Sequence, residues 1–485
     1  MKQKNMVIGK YTLESLTNGM YASPLDLYRE YIQNAVDSID VSIQNGIDKK
    51  EAFKIEIVVE SERKKITIRD NGIGISVKEA VKTLIDIGNS CKKRAHSRGF
   101  RGIGRLAGLG YCKELIFTTS YLGEKVKSII SFNAEELGKF LLSRDSAEQS
   151  AIEVMEQIIT VKTAEEKAKL HYFTVELIDV SDNDKLLKDE QVKDYLTQHA
   201  PLKYNHEFKW QDPIVEKTRG LGFDILAYNI SLNGENLYKP YRDVFESDRV
   251  KKSIDTIKDI EVVPFYRDSR VSAILWCAST SYFGTVRENA IKGIRIRQGN
   301  ILIGDKFSCS SFFKEERFNG WLIGELHIFD EDLIVNARRD DFEKNEAYYE
   351  LVDNFRKWTS QKSKEIRKVS YERSISSEKK TIVEGQKFDD INDLLDESIE
   401  LMNDFDESDF IDQGESESVA EADFIGRLSF LINQKNVQTK YMALNINSKL
   451  TMDQRKVLER VFDLIVEEYD KEQAEEFINK ISKEF

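Results

Sequence analysis

Residues 23–43 read SPLDLYREYIQNAVDSIDVSI, and the fold turns on how this stretch is read. Ser23, Pro24 and Asp26 predict a helix start: a capping hydroxyl, a first-turn proline with its φ already set, and an acid at the positive end of the helix. Along that helix Glu30, Asn34 and Asp37 recur at i, i+4 and i+7 and share one face. Such a stripe on an otherwise apolar helix faces either water or a ligand, because burying two acids and an amide unpaired is costly.

Two later segments bear on that choice. KITIRD at 65–70 has the alternation of a strand and runs into Asp70-Asn71-Gly72-Ile73-Gly74. Two glycines at i and i+2 let the main chain approach a flat ligand, and a carboxylate at a strand end can accept a hydrogen bond from an exocyclic amine such as adenine N6. Alone, DNGIG reads as a plain turn. GFRGIGRLAGLG at 99–110 places five glycines in a loop that enters a helix, and free N–H groups there suit an anion. It matches neither GxxxxGK[ST] nor a dinucleotide GxGxxG following a strand, which disfavours the P-loop and Rossmann readings.

Taken in this order, the three segments resemble the motifs of the GHKL ATPase superfamily, which holds gyrase B, the 90-kDa heat-shock chaperone, histidine kinases and MutL. The resemblance covers roughly residues 7–180 and implies ATP and Mg2+ as cofactors. It makes Glu30 the general base for the attacking water and Asn34 the residue that holds magnesium on the phosphates. Asp70 would read adenine, Gly72 and Gly74 would give clearance, and Asp37 and Asn71 would support. Asn89, Ser90, Gly99, Phe100, Arg101, Gly102, Ile103 and Gly104 fall in the family's lid, with Lys92, Lys93, Arg94 and Arg98 as its cations. Thr174, within HYFTVEL, matches a late threonine near the adenine. A carboxylate one helical turn from a metal-binding amide can reach a water in line with a γ-phosphate, so the chemistry agrees.

The expected fold class is α+β. A GHKL-type α/β sandwich occupies residues 1–180, with strands at 54–60, 65–70, 114–120, 126–132 and 171–178 and a helical insertion at about 134–169. A second, S5-like α+β domain follows over 181–345, with strands in DIEVVPFY, VSAILWCAST, IKGIRIRQ and WLIGELHIF. A long helix is expected over 346–383, an acidic linker over 384–423 and a small helical unit over 424–485. Within the second domain, Asp332–Asp340 (DLIVNARRD) resembles the chaperone's DLPLNISRE and puts Arg339 at the phosphate-sensing arginine. A fixed fork and a permanent charge suit that task. The competing reading pairs Arg338 and Arg339 with Asp340, Asp341 or Glu343 at a helix start. Arg295, Arg297 and Lys306 are alternative phosphate contacts or a basic track for nucleic acid.

Composition bounds the rest. The chain has 485 residues, a formal charge of −13 and 40% hydrophobic residues, the profile of a soluble globular protein. No run approaches the roughly 18 apolar residues of a membrane helix, and MKQKNMVIGKYTLESLT lacks the apolar stretch of a secretory leader, so a cytoplasmic protein is expected. Four scattered cysteines and five histidines show neither a disulfide framework nor a zinc spacing. Residues 388–423 hold 15 acids and no lysine or arginine, which leaves the remainder at +2. Net charge therefore says nothing against nucleic-acid binding, yet the lid carries the one marked basic run. The sequence thus predicts an ATP-hydrolysing homodimeric clamp that acts on a protein partner. The alternative is a MORC- or MutL-like DNA clamp in genome maintenance or anti-phage defence. Histidine kinase is the weakest reading, since neither a phosphoacceptor helix nor a sensor segment precedes the motifs.

Overall fold

Alternating β-branched residues build the first sheet. The computed structural model describes residues 9–17, 23–86, 104–143, 150–181, 185–247 and 253–383. Strands β1 (Lys54–Glu60), β2 (Lys65–Asp70), β3 (Glu114–Ser120), β4 (Val126–Asn133), β5 (Ile159–Glu165), β6 (Tyr172–Ile178), β7 (Asn229–Leu232) and β8 (Glu235–Asn236) form one sheet in the order β5-β4-β3-β6-β2-β1-β7-β8. Pairing is antiparallel throughout except for the parallel β1–β7 pair. Helices α1 (Tyr11–Thr17) and α2 (Asp26–Gln44) precede it, and α3 (Val77–Ile85) follows the Asp70–Gly74 loop. Leu27, Tyr28, Tyr31, Ile32, Val36 and Ile39 of α2 share a buried core with Ile55, Ile57, Ile66, Ile68, Phe117 and Val175 of the sheet. At about 1.5–3 kcal/mol per fully buried large side chain, this contact fixes which face of α2 turns inward.

Three local expectations change. Ser23 does not cap α2 directly; it closes the turn before it, where Leu25 N–H donates to the Ser23 hydroxyl (3.3 Å) and Ser23 N–H to Asp26 Oδ2 (3.2 Å). The insertion at 134–169 is only partly helical: after α4 (Ala134–Leu142) and α5 (Ala151–Ile158), Ile159–Glu165 pairs with β4 as an edge strand. Its charged, mostly exposed residues imitate a helix because only one edge of the strand is covered. The first domain also runs past residue 180. α6 (Asp189–His199) puts Val192 and Leu196 into the same core, and β7 returns beside β1. A four-residue strand carries too little periodicity to be seen in sequence.

The second sheet has the order β11-β12-β15-β13-β14, from β11 (Asp259–Arg267), β12 (Arg270–Ser279), β13 (Gly293–Gln298), β14 (Ile301–Ile303) and β15 (Ile323–Ile328). A hairpin of β9 (Val244–Ser247) and β10 (Ser253–Thr256) and helix α7 (Gln211–Gly220) precede it. Phe355, Trp358 and Ile366 of α8 (Glu346–Val383) pack on Phe265, Leu326 and Ile328 of this sheet. Residues Met1–Arg373 form one compact unit, so contacts between the two sheets' domains belong to the fold. The acidic segment, residues 424–485 and the lid positions 87–103 lie outside the described residues.

Candidate active site

The Glu30 carboxylate is buried and has a neighbour on each oxygen. Oε1 lies 2.9 Å from Arg339 Nε and 3.9 Å from Arg29 Nε. On the other side Gly104 closes in: a Cβ there would stand 2.0 Å from Glu30 Oε2, so only glycine leaves room for the carboxylate. Asn34 is half-buried and Asp37 buried, one and two turns along the same face. Arg29 Nη2 also donates to Arg338 O (3.1 Å), tying α2 to the loop that carries Arg339.

That loop is not a helix start. Val335 bridges Phe342, Asn336 N–H donates to Asp341 O (2.9 Å), and α8 begins later, at Glu346. The result is a short hairpin with Arg338 and Arg339 at its tip. Among the acids named for the competing reading, Asp341 pairs with Lys344 and Asp340 accepts from Asn336. Arg339 sits in the left-handed region, φ 60°.

The second half of the site lies at the end of β2. Asp70 is buried; burial pushes its carboxyl up to about 7, against hydrogen bonds from Gly72 N–H (2.9 Å) and the Ser38 side chain. A Cβ on Gly72 would meet Ser38 Oγ at 2.3 Å, and one on Gly74 (φ 74°) would meet Ser120 O at 2.0 Å. Ser42 Oγ accepts from Ile73 N–H (2.7 Å) and Thr119 Oγ1 from Ile75 N–H (2.8 Å), while His171 Nδ1 lies 2.9 Å from Gly72 O. Sequence reasoning passed over Ser38, Ser42, Thr119 and His171. The first two extend the polar stripe of α2 beyond Asp37, which was a readable signal.

Residues 29–164 match the family model described as histidine kinase-, DNA gyrase B- and HSP90-like ATPase. Over that stretch the chain is similar to the GHKL ATPase superfamily. Chaperone protein HtpG of Acinetobacter baylyi is 36% identical over 87 residues, which are 17% of this chain and 14% of that protein. HtpG of Anaplasma marginale is 30% identical over 134 residues (25% and 21%), and that of Chromobacterium violaceum 31% over 133 (24% and 21%). The chain thus spans about a fifth or less of the curated relatives it matches.

The GHKL domain's residues fit the nucleotide that the family implies. Asp70 is a buried acceptor at a strand end, and Gly72 beside it leaves room for the Ser38 hydroxyl against the carboxylate. Magnesium takes few protein ligands when phosphates supply the rest. A single amide oxygen such as that of Asn34 fits that pattern.

Two expectations are corrected. Thr174 pairs with Arg69 and Thr118, on the face of the sheet away from Asp70; the residues level with Asp70 on its own face are Phe173 and Thr119. Strand period 2 turns an error of one residue into the wrong face. Arg295 and Arg297 are fully buried and cannot track nucleic acid, while Lys306 is half-buried. Arg295 donates to Lys292 O and Asn289 O, and Arg297 to Glu325 and Gln198 O. Glu325 also accepts from Lys239 (2.6 Å), Tyr204 (2.8 Å), Tyr241 (3.1 Å) and Trp276 (3.2 Å), with His327 Nε2 at 3.1 Å. Burial alone would raise its carboxyl, but Arg297, Lys239 and His327 outweigh it and hold Glu325 well below the usual range. Asn89, Ser90 and Gly99–Ile103 lie outside the described residues, and no described helix is long and apolar enough to cross a membrane.

Proposed function

We propose that the chain hydrolyses ATP to ADP and phosphate and works as an ATP-dependent homodimeric clamp that remodels or regulates a protein partner. One observation carries the hydrolytic reading: an arginine from the second domain, Arg339, reaches the Glu30 carboxylate of the ATP domain at 2.9 Å. A domain that follows the nucleotide site and delivers a permanent cation to it suits γ-phosphate stabilisation, and a histidine kinase needs no such arm.

In this reading Glu30 orients the attacking water and takes its proton. Asn34 holds Mg2+, which when bound neutralises phosphate charge. Asp70, with the main chain at Gly72 and Gly74, binds the adenine edge. Arg339 exchanges Glu30 for the γ-phosphate, which frees the base when the triphosphate is present. The second sheet would then be the S5-like transducer of the resemblance. The similarity to HtpG supports a protein partner, and the burial of Arg295 and Arg297 takes two cations out of the candidate basic track for nucleic acid.

Steady-state hydrolysis by wild type and Glu30→Ala, with and without duplex DNA at fixed salt, tests this. Turnover lost in the variant and indifferent to DNA is expected; equal turnover in both proteins would refute the base. Several-fold stimulation by DNA would replace the protein partner with nucleic acid. Native mass spectrometry of Glu30→Ala with ATP should give a dimer, and monomer alone would end the clamp model.

A further inference from the structure

The hairpin tip that carries Arg339 touches the ATP domain at Glu30 and Arg29, so what holds its main chain bears on where the guanidinium goes. Two anchors are visible. Gly304 N–H donates to Arg339 O (3.1 Å) from the second domain, and Arg29 Nη2 donates to Arg338 O (3.1 Å) from α2. A non-glycine residue at φ 60° persists where its surroundings over-determine it.

Arg29 is itself shared. Its Nη1 lies 3.6 Å from Asp26 Oδ1, and that same oxygen accepts the Tyr195 hydroxyl at 2.8 Å, while Oδ2 accepts Ser23 N–H. Tyr195 is buried on α6 and stacks on His199 with ring centroids 3.9 Å apart and planes 8° apart. Burial holds the phenol well above its ordinary range, so it stays a donor, and burial pushes the His199 imidazole down to about 3, so it adds no competing charge. With its phenol donor in place, the buried Asp26 carboxylate does not need to draw Arg29 closer. The guanidinium is left to bridge to the loop.

We propose that Tyr195 is a positioning residue for the phosphate-sensing arginine: through Asp26 it leaves Arg29 extended onto the Arg338 carbonyl, and so sets Arg339 at the reacting end of the site. The proposal rests on the reading of Arg339 given above. Without the hydroxyl, Asp26 Oδ1 loses its donor and draws in Arg29 Nη1, which already lies 3.6 Å away, and the hairpin loses its anchor on α2. Tyr195→Phe keeps the ring and its stack on His199, which confines the change to one oxygen.

The test uses the full-length chain as wild type, Tyr195→Phe, Arg339→Ala and the double variant. The readouts are kcat and KM for ATP, calorimetric affinities for ADP and a non-hydrolysable ATP analogue, and the melting midpoint. Tyr195→Phe should lower kcat roughly tenfold, the scale of a misplaced catalytic group, and reduce the preference for the analogue over ADP. ADP affinity should stay within about twofold and the double variant should match Arg339→Ala, because residues acting through one another are not additive. The affinity ratio reads the same coupling in a chain that turns over slowly. Wild-type values for Tyr195→Phe, additivity with Arg339→Ala, or a parallel loss of ADP affinity and melting midpoint would each overturn the proposal. Arg339→Ala indistinguishable from wild type, or wild type that binds neither nucleotide, would instead refute the site assignment and take this proposal with it.

Discussion

Asp70→Asn should abolish the pH dependence of nucleotide binding and weaken binding at neutral pH. The carboxylate has no room to change partners: one oxygen accepts Gly72 N–H at 2.9 Å, and burial pushes its pKa up to about 7. Asparagine would keep its carbonyl oxygen on Gly72 and turn its NH2 toward the adenine amine, donor against donor. Losing a hydrogen bond to a charged group costs about 1.5–3 kcal/mol, or roughly ten- to a hundredfold in affinity. ADP and ATP should suffer alike, since the adenine is common to both. The sign with pH follows from which form binds: the ionised carboxylate accepts the N6 proton, so affinity falls as pH drops through about 7, by roughly tenfold per unit below it. The stability of the free protein runs the other way. Unfolded Asp loses its proton near 3.9 and folded Asp70 keeps its own to about 7, so Asp70 makes the fold less stable as pH rises across that window. Calorimetric titration of ADP from pH 5.5 to 8 into both proteins settles it, because phosphate and magnesium titrations are common and cancel. A flat wild-type profile, or an Asn variant that binds as tightly as wild type at pH 8, would refute the reasoning.

Three further perturbations probe separate parts of the structure. Gly104→Ala places a Cβ 2.0 Å from Glu30 Oε2; the side-chain tip can yield, so the melting midpoint should barely move while kcat drops by roughly an order of magnitude or more. Gly74→Ala meets Ser120 main chain at 2.0 Å with φ 74°, so thermal stability and ADP affinity should fall together; an unchanged midpoint would contradict the cradle. Glu325→Gln leaves buried Lys239 and Arg297 short of charge, at a cost of about 3–5 kcal/mol in urea unfolding. Because the folded Glu325 carboxyl is depressed, the gap between wild type and variant should persist above about pH 4.3 and close as acid protonates the wild type.

The sheet strands were legible because alternation is a local property: β1, β2 and β3 fall where KIEIVVE, KITIRD and ELIFTTS place them. Glu30 and Asp70 stand out as candidates because the three segments follow one another in that order; alone, an acid before two glycines reads as a turn. What escaped depends on distant partners. β5 looks helical until β4 supplies its ladder, and β7 is too short to declare itself before β1 stands beside it. Thr174 fails by one residue, since nothing local tells which face of β6 looks toward the ligand. Arg297 reads as a surface cation because the acid that pairs with it internally, Glu325, lies almost thirty residues away on another strand, and Arg295 because it is buried onto carbonyls, those of Lys292 and Asn289. Tyr195 gave no signal at all; a tyrosine on a helix is ordinary until Asp26 is found under its hydroxyl.

The knot around Glu325 also says where the molecule can bend. Its donors come from Tyr204, Lys239 and Tyr241 on the connecting segment and from Trp276, Arg297 and His327 in the second sheet, and Arg297 reaches on to the end of α6 at Gln198. Prising these groups apart would strand several buried charges at once, so this junction behaves as a fulcrum. The hairpin tip, held to α2 by Arg29 and Arg339, is the far end of the lever. A small rotation about the knot would be amplified at Glu30, where the proposed mechanism has Arg339 give up one ion pair, with the carboxylate, for another, with a phosphate.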